Sequence, residues 1–296
     1  MKTNEKCGHV AIVGRPNVGK STLVNDLVGQ KISIVTPKPQ TTRSQILGVK
    51  TLGSVQAVYI DTPGLHQTEQ RAMNRYMNRL ASAVIMDADV VVFMVEATRW
   101  HEDDETVLEK LKHVTVPIIL VINKIDLVKD KSRLLPFINR VSERASFAAI
   151  VPISAKKHEQ VDELEKIIMN FLPEGPHLFP DDQITDRDER FQAAELIREK
   201  LIQLSEQELP YSTTVVVESL KLEDTLLSIS AIIWVEREGQ KPIVIGKDGA
   251  LLKKIGTLAR KDIEKLFNVK VFLRLWVKVK SDWTNNERLL QGLGFG

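Results

Sequence analysis

The residues best equipped for chemistry stand near the start of the chain, in GRPNVGKS (14–21). The run fits G-x-x-x-x-G-K-[S/T], follows the apolar stretch HVAIVG (9–14) and opens the helical pattern STLVNDLV. That context is what a phosphate loop needs. Gly14 and Gly19 allow the arc Arg15, Pro16, Asn17, Val18 to turn backbone N–H groups toward phosphate oxygens, and a helix N-terminus adds partial positive charge. Lys20 is expected to reach the β- and γ-phosphates. The Ser21 hydroxyl, with Thr22 beside it, is expected to ligate Mg²⁺.

Three further motifs follow strand-like runs, and the carboxyl ends of strands are where an open α/β sheet receives its ligand. In DTPG, Asp61 suits a Mg²⁺-linked carboxylate, and after Thr62 and Pro63 the Gly64 N–H can meet a γ-phosphate. In NKID, Asn123 can brace neighbouring loops, the Lys124 stem can cover a base, and Ile125 leads to Asp126. The Asp126 carboxylate can accept both N1–H and N2–H₂ of guanine. Adenine offers a lone pair at N1 and no N2 amino group, and a buried mismatch of that kind costs kilocalories. In SAK (Ser154, Ala155, Lys156) the Ala155 N–H could meet guanine O6. Four motifs in this order specify a guanine-nucleotide-binding domain; an ATPase is the alternative that Asp126 opposes.

Within KPQTTR (38–43) a hydroxyl is needed to complete the Mg²⁺ shell; Thr42 is the candidate and Thr41 the fallback. The residue after DTPG is Leu65, where Ras-type enzymes place a water-orienting glutamine. Leucine cannot orient water, so catalysis must rest on metal, backbone or another group, with Lys20, Asn17, Thr42 and Gly64 as candidates. The Asn17 amide oxygen could bind K⁺, whose charge would act as an arginine finger does.

The elements that must position these residues alternate. Strand candidates 9–14, 55–61, 90–97, 117–126 and 148–155 are separated by amphipathic stretches such as 104–114 and 161–171. The third and fourth are continuous apolar runs, as in parallel strands buried on both faces. The expected fold is an α/β P-loop domain, a mainly parallel sheet with helices on both faces. The pattern changes at LPEGPHLFPDDQITDRDE (172–189), rich in proline and acids. The expected organisation is a nucleotide domain over 1–174, a linker over 175–188 and an α+β domain with a C-terminal tail over 189–296.

The last domain opens with FQAAELIREKLIQL (191–204), placing Ala194, Ile197, Leu201 and Leu204 on one helix face. Two strand-like runs, 213–220 and 225–236, precede VIGKDG. A helix over 250–267 and an alternating strand over 270–280 follow. GKDG fits G-x-x-G, a loop that clamps the backbone of single-stranded RNA. Gly246 and Gly249 admit phosphates, Lys247 supplies charge, and Lys253 and Lys254 stand on the helix behind. Asp248 cancels the charge of the loop itself. From Arg237 to Lys280 there are 12 Lys or Arg against 4 Asp or Glu, inside a chain of net charge +2. On the last strand Arg274, Trp276 and Lys278, with Phe272, make a basic and aromatic outer face suited to phosphates and stacked bases.

GRPNVGKS, QTTR, DTPGL, NKID and SAK together resemble the Era branch of the translation-factor-related GTPases. GKDG and the residues before it resemble the type II KH domain that follows the GTPase domain there. The resemblance covers nearly all of the chain. It implies a slow GTPase, assisted by K⁺ at Asn17, that binds GTP and GDP and the single-stranded 3′ end of 16S rRNA. It also implies a role in assembling the 30S subunit, action as a monomer, and loose contact with the inner face of the membrane. Two alternatives stay open. One is a membrane-associated signalling GTPase whose basic patch meets anionic lipid; the other is an RNA-binding scaffold with negligible turnover.

Composition agrees. Of 296 residues, 43% are hydrophobic and 27% charged, and the single cysteine excludes an internal disulfide or an all-cysteine metal cage. No apolar run is long enough to span a membrane, and MKTNEKCGHVAIVG lacks a signal-peptide core, so the expected compartment is the cytoplasm. His9, His66, His101 and His158 are scattered and read as surface or loop residues.

Overall fold

A computed structural model describes residues 5–64, 72–205, 209–286 and 290. The chain forms two compact units. The first runs to Ser33, resumes at Thr42, and extends to Asp186 apart from the start of the helix at Ala72 and Met73, which groups with the second. The second gathers Ile34–Thr41 with the chain from Arg187 onward.

In chain order the first unit contains β1 (Lys6–Val13), α1 (Lys20–Val28), β2 (Ile46–Leu52), β3 (Val55–Asp61), α2 (Ala72–Met86), β4 (Val90–Glu96), α3 (Glu102–Leu111), β5 (Ile118–Asn123), α4 (Leu134–Ser142), β6 (Ala149–Pro152) and α5 (Val161–Phe171). One sheet has the order β2-β3-β1-β4-β5-β6. All neighbours are parallel except β2 and β3. Every residue of β5, and all of β4 before Glu96, is buried, which is why these strands carry unbroken apolar sequence. Ile12 pairs with Asp61 and Glu96 with Asn123, so the carboxyl ends of β1, β3, β4 and β5 finish on one edge.

Strand β2 is not among the expected strands. Its register pairs Leu52 with Val55 across a tight turn at Gly53, so it is an antiparallel hairpin arm. Gly48 and Lys50 interrupt its apolar pattern, which left little signal. Helices α2 and α4 were likewise not foreseen.

The proline-rich stretch lies along the first unit. Gly48 bridges to Thr185, and the Val49 N–H donates to Ile184 O at 2.8 Å. Gln56, fully buried, accepts from the Leu178 and Phe179 N–H groups at 2.9 Å and donates to Phe179 O at 2.8 Å. One amide thereby satisfies three backbone groups of the strap, which an apolar side chain would leave orphaned.

The second unit contains α6 (Glu189–Leu204), β7 (Thr213–Glu223), β8 (Leu226–Val235), α7 (Gln240–Ile245), α8 (Ala250–Phe267) and β9 (Lys270–Val279). Asp188 caps α6 by accepting the Phe191 N–H at 2.8 Å. The sheet order is β7-β8-β9, with β7 antiparallel and β9 parallel to β8. This is the expected α+β KH arrangement. The buried face of α6 carries Ala193, Leu196, Ile197 and Leu201, whereas Ala194 and Leu204 are only partly buried, so the face is turned by one residue from the expected one. On α8 the fully buried residues are Ile255, Ala259 and Ile263, and Leu251, Leu252 and Leu266 pack partly buried against the same core. Lys200 pairs with Glu199 and with Asp262 of α8. Burial depresses the Lys200 pKa, but the two carboxylates outweigh it and hold the ammonium above its ordinary value.

Candidate functional site

The phosphate-loop residues join β1 to α1. Gly19 is the N-cap of α1 with φ 110°, a left-handed backbone that favours glycine. A Cβ there would lie 2.3 Å from Asn123 Nδ2. Gly14 and Val18 are buried, Asn17 is exposed with φ 61°, and Pro16 packs against the Gly64 backbone. Lys20 is buried, its Nζ donating to the Gly14 and Arg15 carbonyls at 3.0 Å. Burial lowers its pKa to about 8, with Asp61 opposing. These carbonyls hold the ammonium against the loop, where arriving phosphates would give it stronger acceptors.

Three oxygen-bearing side chains meet beside Lys20. Ser21 Oγ lies 2.8 Å from Thr42 Oγ1, which is 3.4 Å from Asp61 Oδ2. Asp61 is fully buried and, among the described residues, its Oδ1 has no hydrogen-bond partner. Burial raises the Asp61 pKa, against hydrogen bonds from Ser21 and Thr42 and the charge of Lys20. A buried carboxylate oxygen left over beside two hydroxyls is an all-oxygen donor set that fits Mg²⁺. The Thr41 hydroxyl is committed elsewhere, to Thr36 Oγ1 at 2.6 Å and Lys38 O at 2.7 Å. The Thr62 hydroxyl donates to Ile12 O at 2.8 Å, which ties its strand end to β1, so only its backbone is free to meet a nucleotide. Leu65 lies outside the described residues, as does His66.

Asn123 knits three loops together. Its Nδ2 donates to Val18 O at 2.9 Å and its Oδ1 accepts the Ala155 N–H at 3.0 Å. The Ala155 N–H, expected to face guanine O6, is therefore already engaged, and a base must compete for it. Asp126 Oδ1 accepts from Ser154 Oγ at 2.7 Å, which aims the carboxylate, while Ile125 is buried and Lys156 exposed.

Glu96 and Asp104 join the site although neither is among its expected residues. Glu96 Oε2 accepts from Arg15 Nη2 at 2.8 Å and from Lys124 Nζ at 2.9 Å, linking the phosphate loop to NKID. Burial raises its pKa, but Lys124 and then Arg15 win and lower it. A charged residue ending the apolar run VVVFMVE was the available signal. Asp104, fully buried, lies 3.5 Å from Arg15 Nε and accepts the His101 N–H at 2.9 Å. Nothing in EDDE distinguishes it from its solvated neighbours. His158, read as idle, bridges Asp26 at 2.9 Å and Asp162 at 3.0 Å.

In the second unit GKDG adopts positive φ at Gly246 (75°), Asp248 (51°) and Gly249 (76°), and a Cβ at Gly246 would lie 2.7 Å from Leu251 Cβ. Lys247 and Asp248 are exposed. Next to the loop a cleft of about 440 Å³ runs between α8 and β9, lined by Gly249, Lys253, Gly256, Thr257, Arg260 and Phe272 among others. Of the expected RNA residues, Gly249 and Lys253 line it. Lys254, Arg274, Trp276 and Lys278, all exposed, do not. Arg274 stacks 5.1 Å from the Phe272 ring, and Lys278 lies 3.7 Å from Glu218. Gly256, Thr257 and Arg260 were missed, although 249, 253, 256 and 260 recur at helical spacing on one face of α8. Among the described residues no helix is long and apolar enough to cross a membrane.

A family model described as 50S ribosome-binding GTPase matches residues 9–124, and a KH-domain model matches residues 208–284. A GTPase Era of Pseudomonas fluorescens (strain Pf0-1) is 53% identical over 291 residues, 98% of this chain and 97% of its own. One from Coxiella burnetii (strain Dugway 5J108-111) is 54% identical over 289 residues, covering 98% of each. Among solved structures, Era in complex with MgGDPNP and nucleotides 1506–1542 of 16S ribosomal RNA superposes with TM-score 0.95 at 42% identity, covering 99% of both chains. An Aquifex aeolicus Era variant bound to GDP·AlF4⁻ gives the same TM-score and identity over 98% of this chain and 99% of its own. With both domain models matched and more than half the residues shared along nearly the full length, the chain belongs to the GTPase Era family, GTP-hydrolysing proteins with a KH domain.

Proposed function

We propose that the protein is a Mg²⁺-dependent GTP switch that binds the single-stranded 3′ end of 16S rRNA and assists assembly of the 30S subunit. The observation that carries this reading is the pairing of two built sites in one chain. One is the Asn123-braced nucleotide loops with the Ser21, Thr42 and Asp61 oxygens. The other is the GKDG-bordered cleft with Lys253, Arg260 and Phe272. A relative at 42% identity, solved with MgGDPNP and a 16S rRNA fragment, supports the same pairing of ligands.

In this reading Gly14 to Thr22 cradle the phosphates, and Lys20 turns from the Gly14 and Arg15 carbonyls to the β- and γ-phosphates. Ser21, Thr42 and Asp61 hold Mg²⁺, which when bound neutralises charge on those phosphates. The Gly64 N–H contacts the γ-phosphate, Asp126 selects guanine, Lys124 covers the base, and Ser154, Ala155 and Lys156 close its edge. Asn17 supplies an oxygen for K⁺ in place of the glutamine that Leu65 replaces. Gly246 to Gly249 and Lys253 grip RNA phosphates, Phe272 offers a stacking face, and Lys254, Arg274, Trp276 and Lys278 extend the surface outward. The domains divide at 1–174, 175–188 and 189–296. The protein acts as a monomer in the cytoplasm, with peripheral contact at the inner face of the membrane.

The test is GTP turnover in K⁺ and in Na⁺ buffer, with and without a single-stranded RNA copying the 16S rRNA 3′ end. Faster turnover in K⁺, and stimulation by that RNA but not by a scrambled one, is the expected result. Equal rates under all conditions would refute the K⁺ role and the RNA-coupled switch. Binding to anionic vesicles without RNA binding would favour a lipid surface instead.

A further inference from the structure

Helix α6 buries two charged side chains that its apolar face does not need. Arg198 is 3% and Glu199 2% exposed. Buried ions are costly unless each finds partners, and here Glu195 and Lys200 of α6 itself are joined by groups of Ile34–Thr41, the segment that groups with α6 in the second unit. Glu195 holds the Arg198 guanidinium through two bonds of 2.6 Å, and Arg198 Nη2 donates to the Thr41 carbonyl at 2.5 Å. At the other end of the segment, Glu199 Oε1 accepts the Val35 N–H at 3.0 Å. Between them Lys38 Nζ donates to the carbonyl of Ser205, the C-cap of α6. The segment is thus pinned to one helix at Val35, Lys38 and Thr41.

The residue after Thr41 is Thr42, whose hydroxyl sits 2.8 Å from Ser21 Oγ. The Thr41 carbonyl and the Thr42 N–H belong to one planar peptide. Fixing the carbonyl fixes the plane, and the plane sets where the Thr42 Cα and side chain begin. We propose that Arg198, oriented by Glu195, is a positioning residue for GTP hydrolysis: it holds the Thr41 carbonyl so that the Thr42 hydroxyl stays in the metal shell. The inference rests on the reading of Thr42 as a metal ligand. An Arg–Glu pair three residues apart also occurs simply as helix support; the third bond, to Thr41, is what separates the two roles.

The experiment uses the full-length protein and its Arg198→Ala, Glu195→Gln and Thr42→Ala variants. Affinities for a fluorescent GDP and a fluorescent non-hydrolysable GTP analogue are measured, together with the Mg²⁺ concentration that half-saturates analogue binding. Losing a charge-assisted bond that fixes the plane should raise the analogue Kd and the Mg²⁺ requirement of Arg198→Ala about tenfold, with GDP affinity unchanged within twofold. Glu195→Gln should shift both in the same direction by less, and hydrogen exchange at residues 41–43 should speed up in the analogue complex of either variant. Wild-type values in Arg198→Ala, or equal losses for GDP and analogue, overturn the proposal. If Arg198→Ala does not fold, Glu195→Gln decides, and wild-type behaviour there overturns it. Failure of the underlying reading looks different, because Thr42→Ala would then leave the Mg²⁺ requirement unchanged.

Discussion

Replacing Asn123 by alanine tests how the nucleotide loops are held. The side chain is 3% exposed and makes two bonds, to Val18 O at 2.9 Å and from the Ala155 N–H at 3.0 Å. Truncation orphans a carbonyl of the phosphate loop and an N–H of SAK, both on buried residues. Each orphaned group costs about 1–3 kcal/mol, so the total is about 2–6 kcal/mol. Much of that falls on the loops, and GDP affinity should drop by at least tenfold while urea unfolding shows a clear loss of stability. Gly19 supplies an internal control. Its missing Cβ would lie 2.3 Å from Asn123 Nδ2, so Gly19→Ala in the wild type must displace Asn123. In the Asn123→Ala background that clash is gone and only the backbone strain at φ 110° remains. The double-mutant cycle should therefore show a favourable coupling of about 1–3 kcal/mol. Wild-type GDP affinity in Asn123→Ala, or strict additivity of the two substitutions, would refute the claim that this amide joins the loops.

Glu96→Gln leaves Arg15 and Lys124 with a weaker, neutral partner; a loss of about 1.5–3 kcal/mol in GDP binding is expected by titration calorimetry. The His158 pKa is raised, by its hydrogen bond with Asp26 first and by Asp162 besides, against burial, with Glu165 also nearby. Its stabilising contribution is therefore full below the ordinary value of 6.5 and lost as pH rises through the higher folded value. The stability difference between wild type and His158→Gln in urea, about 0.2–1 kcal/mol for such an exposed pair, should shrink from pH 6 to pH 9. Substituting Lys247 and Lys253 together should weaken RNA binding and reduce the slope of log affinity against log salt by about 1.4, at about 0.7 per single-strand phosphate contact; an unchanged slope would remove both from the phosphate contacts.

GRPNVGKS, DTPG, NKID and SAK were legible because each is a local solution to a local demand. A loop that wraps phosphate must have its glycines and lysine at fixed spacing, whatever surrounds it. The apolar runs of β4 and β5 were equally plain, since a strand buried on both faces has no polar side. GKDG and the alternation of β9 announced the second domain for the same reason. The sequence did not announce β2, a hairpin arm whose pairing depends on β3 rather than on its own pattern. Nor did it separate Asp104 from the other acids of EDDE, or Arg198 and Glu199 from an ordinary solvated helix face. Those residues take their meaning from partners far along the chain: Arg15 for Asp104, Thr41 and Val35 for α6. Cleft lining was decided in the same way, because which residues of α8 and β9 face each other depends on how helix and strand pack. Composition and spacing determine which chemistry is available; burial and long-range pairing, which only the folded chain creates, decide which charges perform it and which merely meet water.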